Sequence, residues 1–150
     1  MTNYLVTLLG KRGYAFNSTA DFEVVREIKE QCCFVSYDKK KDLKLARETT
    51  FHDKDFVLPD GKTIRIGAER FLCAEALFDP SVTGHEDGGY ARKLYQAIKE
   101  CPADCRVDLM QNIILTGGTT MFPGLSTRLY ADLSKIYSEE YYKNNPKWQK

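Results

Sequence analysis

Leu115-Thr116-Gly117-Gly118-Thr119-Thr120-Met121-Phe122-Pro123-Gly124 is the stretch on which the fold turns. Just before it, Asn112-Ile113-Ile114-Leu115-Thr116 runs without polar alternation, which predicts a strand covered on both faces. Just after it, Pro123 predicts a helix start, with Leu125, Leu129, Leu133 and Ile136 as the buried stripe. A buried strand, a two-glycine turn and a helix N-terminus are a recurrent ligand-binding arrangement, because glycine lets backbone approach a ligand where a Cβ would clash. Backbone N–H groups and the helix dipole favour a polar or anionic group there. The sequence has neither Gly-x-x-x-x-Gly-Lys-Ser/Thr nor Gly-x-Gly-x-x-Gly, which excludes the two commonest nucleotide-binding loops as complete motifs. A glycine pair by itself more often only shapes a turn.

Working outward, Val107 and Met110 mark a short helix, and Tyr90, Leu94, Ile98 and Cys101 mark another, ended by Pro102. Residues 69–78 read as a helical turn or two stopped by Pro80, and the loop 81–89 holds His85, an exposed loop histidine rather than a base. Phe56-Val57-Leu58 and Thr63-Ile64-Arg65-Ile66 flank Pro59-Asp60-Gly61-Lys62 as a hairpin whose alternation buries one face. The charged stretch 38–48 has weak periodicity and predicts a loop with one short helix. Before it, Asn17-Ser18-Thr19 caps a helix carrying Phe22, Val25, Ile28 and Cys32. Leu5, Leu8 and Leu9 predict a first helix stopped at Gly13. From about residue 137 to the end the chain is polar and aromatic, and is expected to be a connecting tail.

At 150 residues and 17.2 kDa the chain can bury a core as one domain or as two small lobes. Lys plus Arg number 22 against 21 for Asp plus Glu, so no overall field exists to recruit nucleic acid or an anionic membrane. No run approaches the length of a bilayer span, and the first residues lack a secretory signal's basic and apolar regions, so a cytosolic protein is expected. Five scattered cysteines suit reduced thiols, and two lone histidines, His52 and His85, do not complete a metal set.

The ten residues 115–124 are similar to the adenosine-binding motif of the actin family. Four further stretches resemble that family in the same order: Arg12-Gly13-Tyr14; Val25-Arg26-Glu27-Ile28-Lys29-Glu30; Leu58-Pro59-Asp60-Gly61; and Glu69-Arg70-Phe71 with Glu75-Ala76-Leu77-Phe78. Residues 12–17 and 44–50 look like the family's actin-related branch where conventional actin reads differently. The sequence departs from the family pattern at Cys32-Cys33-Phe34, at Phe122 in place of a common tyrosine, and in the basic run 38–44. The resemblance implies an incomplete α/β fold of the actin-like, ribonuclease-H-like or hexokinase type. Residues 1–85 would form the smaller inner-domain lobe and residues 86–150 part of the core lobe.

By the same resemblance, Lys29 and Glu30 line an adenosine pocket, with Glu30 accepting hydrogen bonds from the ribose, and Arg26 lies at its rim. Gly117, Gly118 and Thr119 bring backbone to the nucleotide, and Met121 and Phe122 pack against the base. The implied cofactor is ATP with a divalent cation, Mg or Ca, held by residues expected before Met1 together with the phosphate-clamping hairpins and the water-orienting residue. The chain is therefore expected to be a fragment that does not hydrolyse ATP, of a parent resembling a slow ATPase. Its implied partners are actin-related protein 3, other subunits of a complex that nucleates branched filaments, and the actin filament. The alternatives are a self-polymerising divergent actin and, from another class, a sugar or acid kinase of the same ancestral fold. Taken without the resemblance, Arg26 and Glu30 read as an i,i+4 surface pair, and Met121 and Phe122 as core packing.

Overall fold

The computed structural model describes residues 1–144 of the 150. In chain order it runs α1 (Thr2–Lys11), α2 (Thr19–Cys32), α3 (Lys39–Glu48), β1 (Lys54–Val57), β2 (Thr63–Ile66), α4 (Glu69–Glu75), α5 (Tyr90–Glu100), α6 (Arg106–Gln111) and α7 (Leu125–Asn144). The result is a mixed helix and sheet arrangement, consistent with a partial actin-like fold.

Helix α1 ends as its sequence predicts. Gly13 takes φ 99°, the Tyr14 N–H returns to the Leu9 carbonyl and the Gly13 N–H to that of Gly10. This is the paired closure that only a residue free of Cβ strain makes cheaply. Leu5, Leu8 and Leu9 point into the core. Helix α2 starts on a reciprocal box: Ser18 Oγ accepts from the Asp21 N–H, and the Asp21 carboxylate accepts from the Ser18 N–H. Its buried face is Val25, Ile28 and Cys32, and cations satisfy the last carbonyls. Lys54 Nζ donates to the Gln31 carbonyl at 3.0 Å, and Arg70 Nε to that of Cys32 at 2.7 Å.

Two expectations need correction. The charged stretch after residue 38 is a full ten-residue helix, α3, although none of its residues is buried. Asp38 caps it by accepting from Lys40 and Lys41, and Asp42 turns inward to accept from Ser36 Oγ at 2.6 Å, so anchoring replaces the missing apolar stripe. The tail expected from about 137 instead continues α7 to Asn144, braced by Lys99 Nζ on Glu140 at 2.9 Å. Residues 145–150 lie outside the described residues.

Strands β1 and β2 pair antiparallel with Phe56 opposite Ile64 and Lys54 opposite Ile66, which puts Phe56, Ile64 and Ile66 on the covered face. The connection closes through Gly61 at φ 83° and through Asp60 Oδ1, which accepts from the Lys62 N–H at 3.0 Å.

Two apolar clusters form the interior. The first joins α1, α2, the hairpin and α4, with Leu5, Leu9, Val25, Ile28 and Ile66 fully buried, each contributing about 1.5–3 kcal/mol. Phe122 and Leu125 also belong to it, so later residues of the chain pack against earlier ones. The second cluster holds Ala91, Leu129 and Leu133 between α5 and α7, and Phe78 and Leu115 touch both clusters.

Candidate functional site

The stretch 112–116 is not a strand. Among the described residues the sheet has only two strands, both in the hairpin, and nothing pairs with this run. An apolar run becomes a strand only where a neighbour takes its backbone groups. Here Ile113 and Leu115 lean on the second cluster, while Ile114 is 87% exposed.

The glycine turn itself is well defined. Gly117 takes φ 98°, open in practice to glycine alone, and its carbonyl accepts both the Thr120 N–H at 3.0 Å and the Thr120 hydroxyl at 2.7 Å. Residues Gly118–Met121 make one 3-10 turn, and Pro123 and Gly124 form a further turn before α7. The helix expected to start at Pro123 therefore starts at Leu125, and its N-terminus is set off from the glycine pair. Positions 117 and 118 both border open space: a Cβ built on either meets nothing within 4 Å.

What holds the turn against the rest of the molecule is the segment after α2. The Val35 N–H donates to the Pro123 carbonyl at 2.8 Å. Gly124, at φ 86°, lies so close that a Cβ would come within 2.5 Å of the Val35 carbonyl oxygen. Phe122 drops from the same loop into the core cluster that buries Val25, Ile28 and Cys32 of α2. Phe122 thus ties the loop that follows the glycine pair to the same core as α2.

On α2, Lys29 is largely sheltered, with an 18% exposed side chain, and its Nζ lies 3.8 Å from the more exposed Glu30 carboxylate. Arg26 is exposed and pairs with Glu23 at 2.9 Å, one turn back, instead of with Glu30. Met121 projects into solvent at 80% exposure, whereas Phe122 is 7% exposed and packs as a core residue. Five cavities, from about 210 to 840 Å³, open elsewhere on the surface and are lined by other residues.

The motif reading missed the residues that brace the turn from behind. Arg128 on α7 donates to the Ser36 carbonyl at 2.7 Å, pairs with Glu75 at 3.0 Å and Asp132 at 3.0 Å, and lies 4.9 Å from the Phe78 ring centre. Burial opposes its charge, but the Glu75 hydrogen bonds and charge outweigh that and raise its pKa. Their sequence signal is slight, since Arg128 and Asp132 also read as an ordinary i,i+4 pair. His52 is buried too, packed against Phe34, Phe51 and Phe71, with Nε2 at 3.5 Å from Asp42. His85 is exposed.

Comparison with known proteins follows the motif. A family model described as Actin matches residues 5–147. "Actin-related protein 2" of Arabidopsis thaliana is 48% identical over 145 residues, covering 97% of this chain and 37% of its own length. The proteins of that name from Saccharomyces cerevisiae and Acanthamoeba castellanii are 45% and 43% identical, with the same two coverages. The chain therefore spans 37% of the length of these curated relatives. Among the described residues no helix is long and apolar enough to cross a membrane.

Proposed function

This chain belongs to the actin family, and we propose that it is the adenosine-facing part of an ATP-binding actin-related protein 2, a subunit of the complex that nucleates branched actin filaments. The names of its relatives support that assignment. One observation carries the ligand side of it: Gly118 has no positive φ and no neighbour where its Cβ would stand, so nothing within the chain's own fold requires glycine there. Bare backbone facing open space is what close approach of a flat nucleoside needs.

In this reading Gly117, Gly118 and Thr119 present backbone to the nucleoside. Met121, free of the core, covers the purine face with its polarisable thioether. Phe122 supports the loop from beneath instead of touching the base. Glu30 accepts from the ribose hydroxyls, Lys29 lies sheltered beside it, and Arg26 stands at the rim. ATP with Mg²⁺ or Ca²⁺ supplies the charge that draws two halves of an actin-like molecule together, and this chain supplies the nucleoside wall. Hydrolysis is not a task we assign to it. Actin-related protein 3, other complex subunits and the actin filament are the proposed partners, in the cytoplasmic cytoskeleton.

The test grafts these residues into a full-length relative and compares ATP affinity with and without Gly118→Val. Loss of binding with an unchanged fold is expected, and equal affinity would show that the turn is not at the nucleotide. Light scattering of the same protein decides its class: growth with salt and ATP, without partners, would mark a self-polymerising actin instead.

A further inference from the structure

The acids at the start of α3 are engaged within the fold, and its cations face out. Asp38 serves the cap, accepting from the Lys40 and Lys41 N–H groups, while Asp42 accepts from Ser36 Oγ at 2.6 Å and lies 3.5 Å from His52 Nε2. Lys40, Lys44 and Arg47 are spaced i, i+4 and i+7, which puts all three on one exposed stripe of the helix. Within the chain this stripe is barely neutralised. Lys44 reaches Glu48 only at 3.9 Å with both side chains in solvent, and no ion pair holds Lys40 or Arg47 among the described residues. Lys39 and Lys41, off the stripe, take Asp79 at 3.4 Å and Asp38 at 3.5 Å. An aromatic ring stands in solvent beyond each end of the helix: Tyr37, 67% exposed, precedes the cap, and Phe51, 77% exposed, follows the last turn.

We propose that the outward face of α3, with Tyr37 and Phe51 at its two ends, is a docking surface for an acidic peptide segment of another protein: a run of Asp and Glu flanked by apolar side chains. Charge complementarity sets the run. A little-neutralised cationic stripe one short helix long, about 15 Å at 1.5 Å per residue, matches a handful of carboxylates. The two rings set the flanks, because aromatic side chains are enriched where interfaces form and offer apolar area at little entropic cost. An anionic membrane fits less well, since the outward stripe carries no apolar side chain to insert and Leu43 and Leu45 are half-buried against the fold. Nucleic acid fits less well too, since the chain as a whole carries only +1 and three cations neutralise few phosphates. The inference stands apart from the nucleotide reading.

Fluorescence anisotropy of a labelled peptide, a run of glutamates between two leucines, tests it on the 150-residue chain. Binding is expected, and it should weaken as salt rises from about 0.05 M to about 0.3 M. The triple variant Lys40→Gln, Lys44→Gln, Arg47→Gln should bind about tenfold more weakly. The equally discharged Lys11→Gln, Lys62→Gln, Lys93→Gln should bind as the parent does, with circular dichroism confirming that both variants fold. Tyr37→Ser with Phe51→Ser should weaken the leucine-flanked peptide and spare a glycine-flanked one. No binding to the parent chain, equal affinity in the two triple variants, or a loss in the double variant that ignores the flanks overturns the proposal. Phosphatidylserine vesicles or duplex DNA that bind more tightly than the peptide through the same three residues overturn it as well.

Discussion

The Arg128 guanidinium grips the Glu75 carboxylate with both of its terminal nitrogens, Nη2 to Oε1 at 3.0 Å and Nη1 to Oε2 at 3.3 Å, and so ties α7 to the last residue of α4. Glu75 is only 4% exposed, which makes its carboxylate costly to leave alone. Arg128→Met is therefore expected to cost about 3–5 kcal/mol in urea unfolding, the range for stranding a buried charge. Replacing Glu75 by Met as well should recover a large part of that loss. A single variant as stable as the parent would show the pair to be solvated.

Gly118 and Gly124 should part company in a stability measurement. Gly124→Ala drives a Cβ toward the Val35 carbonyl oxygen at a positive φ, and a cost of about 1–3 kcal/mol is expected. Gly118→Ala meets open space and should stay within about 0.5 kcal/mol. Thermal unfolding of the two variants checks both. Equal destabilisation would mean that position 118 is held by the fold after all.

Arg70 closes the end of α2 while spanning to the His52 carbonyl at 2.6 Å. Its replacement by Met removes charged hydrogen bonds worth about 1.5–3 kcal/mol each at most. Hydrogen exchange should accelerate at residues 30–34 more than in α5. Uniform acceleration would instead report global loss of stability.

Acid should weaken the fold through its caps. The Ser18 backbone N–H, with the Ser18 hydroxyl, holds the Asp21 carboxyl below its ordinary pKa, and backbone N–H groups of Lys41 and Lys62 do the same for Asp38 and Asp60. A carboxylate depressed in the folded state contributes stability that is complete above its unfolded pKa, about 3.9, and is lost as pH falls through the lower folded value. The unfolding temperature is thus expected to drop below about pH 4. In Asp21→Asn the drop should be shallower; an unchanged slope would remove Asp21 from the account.

How far the sequence spoke depended on the reach of each interaction. Helices α1, α2 and α5 and the hairpin were legible because caps, stops and stripes act within a few residues, as at Gly13, Ser18 and Gly61. Helix α3 was underestimated because its support is a cap at Asp38 and an inward Asp42, not an apolar face. The run 112–116 misled because β-structure is a property of two segments and only one is present among the described residues. At the candidate site the glycine pair was visible in the motif. The Val35–Pro123 hydrogen bond and the Arg128–Glu75 pair were not, since each joins residues more than fifty positions apart.

The uncovered isoleucine at 114 has a practical side. A greasy run whose backbone joins no sheet among the described residues offers a template to an identical run on a neighbouring molecule, the first rung of an intermolecular ladder. Handled alone and concentrated, this polypeptide should cloud with time, and a single Ile114→Lys exchange, which puts like charges face to face along any such stack, should keep it clear.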